Sequence, residues 1–462
     1  MKKTILITCL VALLAAAPAM AQVDLSNYVA LGDSLTAGFV SGALMDFYQD
    51  RSYPAILAAQ AGAAGFEQPL VSEPGFPPIL ELVHLVPVPV ILPVGLIPGA
   101  PVNAALPRPY NNLGVPGANL FDMIFTTGDI NNLLAGNTDN VMHDLILRDG
   151  IHTALEQAIG MQPTFITVGI GNNDELGAVL AATPIDGVTM TPVDQFAFLY
   201  NNAIGALVTN TSADIVLMNL PYSTTIPFAT TVPPFVDIPG LGLTPLMGTN
   251  GLLTPNSRVT LLAGGLIAQG YGLPGGPPLP EDLNFLTGEP GYVLRPEEID
   301  IIDDRVDAFN EIIAEVAATY GLPVFDTNEF IAEIVAGEAP SYGGVVITAD
   351  FLLGGFFSYD GIHAQRIGYA MLANALVQFI NAEYGSNIPG VNMAEVLYEG
   401  DWQTPGISPA GAKDAVLSRE AFEEVYNLFA PKLGNAPRIR RPQSDRSDLP
   451  TVDLRRKPRS TP

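Results

Sequence analysis

Short apolar segments bounded by turn residues recur along the chain and predict buried strands. In chain order they are NYVALGD (27–33), YNNLGV (110–115), TFITVGIG (164–171), ADIVLMNLP (213–221) and LPVFDT (322–327). Helical patterns separate these strands, and such alternation predicts a parallel sheet with helices on both faces. Because ligands of such sheets bind beyond the carboxyl ends of the strands, we expect the functional residues at that edge.

The clearest helical pattern spans residues 296–320. Pro296 suits the first turn of a helix, and apolar residues then recur at spacings of three and four, which is typical of one buried face. These residues are Ile299, Ile302, Val306, Phe309, Ile313, Val316 and Tyr320. The acidic residues of this stretch fall mostly elsewhere on the helix, so they indicate a solvated face rather than a calcium site.

Two long segments interrupt the alternation of strands and helices. Residues 70–109 are strongly apolar, but prolines recur every few positions and exclude a transmembrane helix. Residues 225–295 are rich in proline, glycine and leucine. Both segments either pack as irregular structure over the domain or form a wall or lid for an apolar substrate.

The N-terminal residues 1–21 have the pattern of a signal peptide. Two lysines precede an apolar run, and Ala-Met-Ala at 19–21 matches a cleavage site. We therefore expect a secreted or periplasmic protein that begins near Gln22. Cys9, the only cysteine, lies inside this signal, so the mature chain has neither a disulfide nor a thiolate nucleophile.

The charge is strongly acidic, with a formal net charge of −27. Residues 22–435, which we predict to be the catalytic domain, hold 10 basic and 44 acidic residues. Such a body repels nucleic acid and anionic lipid head groups, so neither is expected as a main partner. No stable membrane span is expected either, because of the prolines in residues 70–109. Residues 436–462 are basic, rich in proline and almost free of apolar residues, which predicts a disordered tail.

Ser34 is the first residue with candidate chemistry. It lies in LGDSLTAGF (31–39), where a predicted strand turns into a helix. At such a turn a hydroxyl can point into solvent beside the N–H groups of the helix start. A serine there also commonly caps the helix. This stretch by itself leaves both interpretations open.

A nucleophilic serine needs a base, and His363 is the strongest of four histidines. Asp360 precedes it by three residues in DGIH (360–363), and at this spacing a carboxylate can bond one ring nitrogen and fix the tautomer. The other nitrogen would then face the serine. Capping of the next helix by Asp360 is the competing interpretation. We interpret the remaining three histidines as structural. His84 lies in the apolar segment 70–109, and His143 and His152 lie on a predicted helix.

Acyl transfer also requires donors for a developing oxyanion. In NNLGVPGAN (111–119), Gly114 and Gly117 offer backbone N–H groups that could approach a ligand closely. In GIGNND (169–174), which follows another predicted strand, Asn173 offers a side-chain amide at the same sheet edge. Each signal is weak alone, but together they converge on one edge of the sheet.

With these motifs, the chain resembles the GDSL or SGNH hydrolase superfamily of esterases and lipases. Four blocks carry the resemblance in the family's order: GDSLTAG (32–38), NLGVPGA (112–118), GNND (171–174) and DGIH (360–363). The resemblance implies a three-layer α/β/α flavodoxin-like sandwich with a central parallel sheet of about five strands. By the same resemblance, Ser34 is expected to be the nucleophile, and its own N–H an oxyanion donor. Gly117 (with Gly114 as the fallback) and Asn173 are expected to be the two further oxyanion donors. His363 is expected to be the base of the triad and Asp360 its acid.

The resemblance further implies supporting roles in the loops for Gly32, Asp33, Gly171 and Asp174. The expected activity is that of a secreted serine hydrolase that cleaves small-molecule or lipid esters without metal or cofactor. The apolar segments favour lipid-like or medium-chain acyl esters. The alternatives are a carbohydrate O-deacetylase, which the single Trp402 disfavours, and a non-catalytic lipid-binding or surface protein on the same scaffold.

Overall fold

A computed structural model describes residues 23–84, 89–398 and 415–429. The predicted signal peptide (1–21), the predicted tail (436–462) and Trp402 lie outside the described residues. The strands are β1 (Tyr28–Gly32), β2 (Leu80–His84), β3 (Val90–Pro93), β4 (Asn112–Gly114), β5 (Phe165–Gly169), β6 (Asp214–Met218), β7 (Phe235–Ile238), β8 (Gly242–Pro245), β9 (Met247–Gly248), β10 (Gly251–Leu252), β11 (Arg258–Val259), β12 (Val293–Leu294), β13 (Val324–Phe325) and β14 (Val416–Leu417).

Five of these strands form the central sheet, in the order β13-β6-β5-β1-β4. Every neighbouring pair is parallel. The five strands are the five that the apolar segments predict, so the predicted parallel sheet is confirmed. All five residues of β1 are buried, which explains why their sequence is continuously apolar rather than alternating.

The described residues also form α-helices, several of which flank this sheet. They are α1 (Ser34–Ala37), α2 (Asp46–Gln49), α3 (Tyr53–Ala61), α4 (Leu120–Phe125), α5 (Ile130–Ala135), α6 (Val141–Ile146), α7 (Ala154–Gly160), α8 (Leu176–Ala181), α9 (Val193–Asn210), α10 (Pro227–Thr230), α11 (Gly264–Ala268), α12 (Pro296–Tyr320), α13 (Thr327–Ala336), α14 (Arg366–Tyr384), α15 (Met393–Tyr398) and α16 (Arg419–Phe429). Helix α3 packs with α14, while α4, α7 and α12 pack with α9. This arrangement is the expected three-layer α/β/α sandwich.

The long helix predicted over residues 296–320 is confirmed. It begins at Pro296 and ends before Gly321, whose φ of +66° gives the left-handed conformation that glycine adopts without strain. Its apolar face is buried at five of the seven predicted positions and half-buried at Ile299 and Tyr320. The ring of Phe309 stacks on that of Phe196 in α9 with a centroid distance of 3.9 Å, so the periodic face packs on a second helix.

The two long segments contain short strands of their own, and both segments contact β14 in the C-terminal part of the described chain. In the first segment, β2 and β3 form an antiparallel hairpin, and β14 adds to it in parallel beside β3. In the second segment, α11 contacts β14. Within the described ranges, no helix is long and apolar enough to cross a membrane.

Candidate active site

Ser34 is the first residue of α1, directly after β1 and Asp33. The N-cap of this helix is Asp33, whose side chain accepts a hydrogen bond of 3.0 Å from the Leu35 N–H. The capping interpretation of Ser34 is therefore wrong, because its neighbour fills that role. The Ser34 hydroxyl remains available for another partner.

That partner is His363. Its Nε2 lies 2.8 Å from Ser34 Oγ, and its Nδ1 lies 2.9 Å from Asp360 Oδ2. The structure thus brings Ser34 to a histidine and an aspartate that lie more than 300 positions further along the chain. The relative exposure of Ser34 is 4%, that of His363 is 1% and that of Asp360 is 0%, so the whole arrangement is shielded from water.

Asp360 sits in a pocket of hydrogen-bond donors. Its Oδ2 accepts from the Gly42 N–H as well as facing His363. Its Oδ1 accepts from the Ser358 hydroxyl and from the N–H groups of Ile362 and His363. Burial alone would raise the pKa of Asp360, but the nearby charge of His363 and the hydrogen bonds from His363 and the Ile362 N–H lower it below its usual value. Asp360 does not cap α14, because that helix begins at Arg366 with Gln365 as N-cap.

The two loops expected to donate to an oxyanion lie together at the same edge. The Asn173 side-chain amide donates to the Ala118 carbonyl at 2.8 Å, which joins the loop after β5 to the loop after β4. The Gly114 N–H donates to Asn112 Oδ1 at 3.0 Å and so already has an acceptor. Gly117 has a φ of +79°, a conformation that favours glycine. The choice of Gly117 over Gly114 as an oxyanion donor stays a prediction.

The GDSL-like lipase/acylhydrolase family matches residues 28–376, which is most of the chain. The chain belongs to this family. As a GDSL-like hydrolase, the protein is a carboxylic ester hydrolase, and the resemblance stated from the four sequence blocks is confirmed.

Solved structures with distant similarity to this hydrolase are also lipases and hydrolases. The lipase/acylhydrolase from Enterococcus faecalis is 15% identical with a TM-score of 0.30; the similarity covers 79% of this chain and 98% of that one. The α/β hydrolase LAE5 from the metagenome of Lake Arreo is 11% identical, with a TM-score of 0.34 and coverages of 78% and 98%. An extracellular lipase from Streptomyces rimosus is 14% identical, with a TM-score of 0.32 and coverages of 76% and 98%. A comparison with curated proteins found no match.

Two buried carboxyl groups of the hydrolase hold its loops in place. Asp33 Oδ2 accepts from the Asn172 side-chain amide at 2.7 Å. Asp174 accepts from the Leu120 N–H at 2.9 Å and from the Thr191 hydroxyl at 2.7 Å. Burial raises the pKa of Asp33 to about 6 and that of Asp174 to about 7, although these hydrogen bonds oppose the shift.

Sequence reasoning missed several neighbours of the site. Gly42 and Ser358 both bond Asp360, and the rings of Phe39 and Phe429 pack on the His363 ring with centroid distances of 4.9 and 5.0 Å. Phe39 directly follows the GDSLTAG block and Ser358 lies two residues before the DGIH block, so their nearness in sequence could have indicated a role in the site. No sequence pattern around Gly42 or Phe429 indicates that either residue lies at the site.

The other histidines lie elsewhere in the chain. His143 is buried in α6, as expected for a structural residue. His152 is not on a helix: it lies before α7, exposed, with Nδ1 2.7 Å from Asp149 Oδ2. The prediction that His152 is helical is therefore wrong, because the helix begins only after Thr153 supplies its cap. His84 ends β2. In the part of the chain that the structure describes, no group of three or more His, Cys, Asp or Glu could hold a metal ion.

Proposed function

We propose that the protein is an exported serine hydrolase in which Ser34, His363 and Asp360 act as a catalytic triad on esters with apolar acyl chains. The observation that carries this proposal is the buried chain of hydrogen bonds from Ser34 Oγ to His363 Nε2 and from His363 Nδ1 to Asp360. The carboxylate accepts from Nδ1, which leaves Nε2 unprotonated and able to take the hydroxyl proton.

In the first half of the reaction, Ser34 Oγ attacks the acyl carbonyl carbon and passes its proton to His363 Nε2. The carbonyl oxygen becomes an oxyanion, which the N–H groups of Ser34 and Gly117 and the Asn173 amide stabilise. The carbonyl then re-forms, the bond to the alcohol breaks, and His363 returns its proton to the leaving alcohol. An acyl-enzyme on Ser34 remains.

In the second half, water attacks the acyl-enzyme while His363 again takes the proton. When the tetrahedral intermediate collapses, the bond to Ser34 Oγ breaks, His363 returns its proton to that oxygen, and the carboxylic acid is released. Asp360 keeps its negative charge throughout and stabilises the imidazolium that forms twice. Its lowered pKa supports this role, because the carboxylate stays ionised at neutral pH.

The apolar character of the acyl group is inferred from what surrounds the triad. Phe39 and Phe429 lie on the His363 ring, and Leu428 lies against Gly117. Side chains of this kind favour a hydrocarbon chain over a sugar, since a buried carbohydrate needs many polar partners. A series of nitrophenyl esters tests this point. We expect higher kcat/KM for medium or long chains than for acetate, and a preference for acetate would contradict it.

The catalytic assignment is tested at Ser34 itself. Ser34→Ala should lower kcat for a nitrophenyl ester by about three orders of magnitude or more, because the nucleophile is lost while the oxyanion donors remain. A fluorophosphonate should form one adduct, in which Ser34 Oγ displaces fluoride from phosphorus. Peptide mapping that places the adduct on another residue, or full activity of the alanine variant, would refute the assignment.

Export is inferred from the signal pattern of residues 1–21. N-terminal sequencing of protein recovered outside the cytoplasm should begin near Gln22. An intact N-terminus on protein that stays in the cytoplasm would contradict export without affecting the catalytic assignment.

A further inference from the structure

The triad is covered by helix α16 (Arg419–Phe429). The Phe429 ring lies against the rings of both His363 and Phe39, with centroid distances of 5.0 and 5.4 Å. Phe429 itself is buried. An aromatic side chain from the C-terminal part of the chain therefore occupies space directly beside the base.

The same helix also lies on the proposed oxyanion glycine. A Cβ placed on Gly117 would come within 2.7 Å of the Leu428 carbonyl oxygen, so the two backbones are in close contact. This carbonyl belongs to the C-terminal turn, where the helix dipole places partial negative charge. A negative pole beside Gly117 opposes an oxyanion at that position. The covered arrangement is thus unfavourable for catalysis both sterically and electrostatically.

Helix α16 also contacts β3 and α8. Strand β14, which directly precedes the helix, pairs with β3. Arg419, the first residue of the helix, donates a hydrogen bond of 2.9 Å to Glu289 of the second long segment. Both of those side chains are partly exposed, and exposed ion pairs contribute little stability. Apolar side chains add to this packing, and Val425 on the same helix is buried.

We propose that α16 is a cover whose Leu428 and Phe429 take the place of the substrate's acyl chain, so that these two residues determine specificity. This inference rests on the proposed function of Ser34. An ester reaches Ser34 only when α16 moves aside, and an apolar acyl chain compensates by burying the surface that the two side chains leave. A short acyl group lacks that surface and opens the site poorly. The helix lies beyond residues 28–376, the part of the chain that the family match spans.

The first test measures how fast Ser34 becomes accessible. The rate of Ser34 labelling by a small fluorophosphonate is compared between the unaltered chain and Leu428→Ala/Phe429→Ala. We expect the double variant to react at least tenfold faster, because it removes the side chains that close the site. Asn427→Ala, an exposed position in the same turn, is the matched control and should react at the original rate. An increase below tenfold in the double variant overturns the cover.

The second test follows the helix itself and does not depend on the double variant folding. Val425→Cys is placed in a chain that carries Cys9→Ser, so that the new thiol is the only one. Its reaction with a thiol reagent is measured before and after Ser34 is labelled with a long-chain alkyl fluorophosphonate. We expect at least a tenfold faster reaction afterwards, since the alkyl chain displaces α16. A thiol that stays equally protected overturns the proposal.

These results separate the two proposals. If neither the unaltered chain nor a variant carries the adduct on Ser34, the assignment of Ser34 as the nucleophile is refuted, and so is the proposal that α16 covers it. If the adduct forms on Ser34 but its rate is insensitive to Leu428 and Phe429, the cover alone is refuted.

Discussion

Replacing Asp360 by asparagine tests the triad through its hydrogen bonds. Five hydrogen-bond donors contact the Asp360 carboxylate. The Ser358 hydroxyl and the N–H groups of Ile362 and His363 donate to Oδ1. The Gly42 N–H and His363 Nδ1 donate to Oδ2. An asparagine has one acceptor oxygen and one NH₂ group. Because Oδ1 has three donors, we expect the asparagine oxygen there and its NH₂ on the side of His363 and Gly42.

This substitution has two separable consequences. His363 can accept from the NH₂ only as the tautomer that carries its proton on Nε2, and that tautomer cannot take the Ser34 proton. Loss of the correct tautomer in a triad costs roughly 10⁴ in kcat, or roughly 5 kcal/mol in activation free energy. The Gly42 N–H faces a donor and stays unsatisfied, which costs about 1–3 kcal/mol in the free energy of unfolding.

The assay is kcat for a nitrophenyl ester together with urea unfolding of both proteins. Asp300→Asn is the matched control, because that carboxylate is exposed on α12 and should change neither quantity. A loss in kcat of less than tenfold, in a variant whose unfolding shows that it is folded, would refute the triad. A large loss in kcat with unaltered stability would instead refute the donor count around Asp360.

Two further predictions concern the oxyanion donor and a buried acid. Asn173→Ala should lower kcat by about 10² to 10³ with little change in KM, because an oxyanion donor acts mainly on the transition state. Burial raises the pKa of Glu175 to about 8 from a usual value near 4.5. The folded state then binds a proton that the unfolded state releases, so the free energy of unfolding should fall as pH rises from about 5 to 8. Glu175→Gln should remove about a few kcal/mol of that dependence.

A specific result would contradict each of these two predictions. A loss in kcat below about threefold for the alanine variant at Asn173 would show that its amide does not bind the oxyanion. Urea titrations at several pH values check Glu175. An equal slope in the glutamine variant, or stability that rises with pH in both proteins, would contradict the assignment of that slope to this side chain. Its bond to the Ser223 hydroxyl can be kept by the amide oxygen of glutamine, so the substitution isolates the charge.

The candidate site was largely predictable because its residues lie at strand ends. Ser34 follows β1, Gly117 lies in the loop after β4, and Asn173 lies just after β5. In a parallel sheet these ends share one edge, so local patterns already imply that the residues converge. Asp360 and His363 lie three apart, and a local turn suffices to bring the carboxylate to the ring. Only the structure showed that Asp33 and not Ser34 caps α1, because either of these neighbouring side chains could have served as the cap.

The sequence by itself determined the order of the elements, the parallel sheet and the long helix, because hydrophobic periodicity reports local burial. Only the tertiary structure decided what covers the site. The turn at Gly42 meets Asp360 across 318 positions, and Phe429 reaches Phe39 from the far end of the described chain. An amphipathic helix indicates that one of its faces is buried, but the partner of that face depends on how distant segments pack. For this hydrolase, that packing places α16 over the triad.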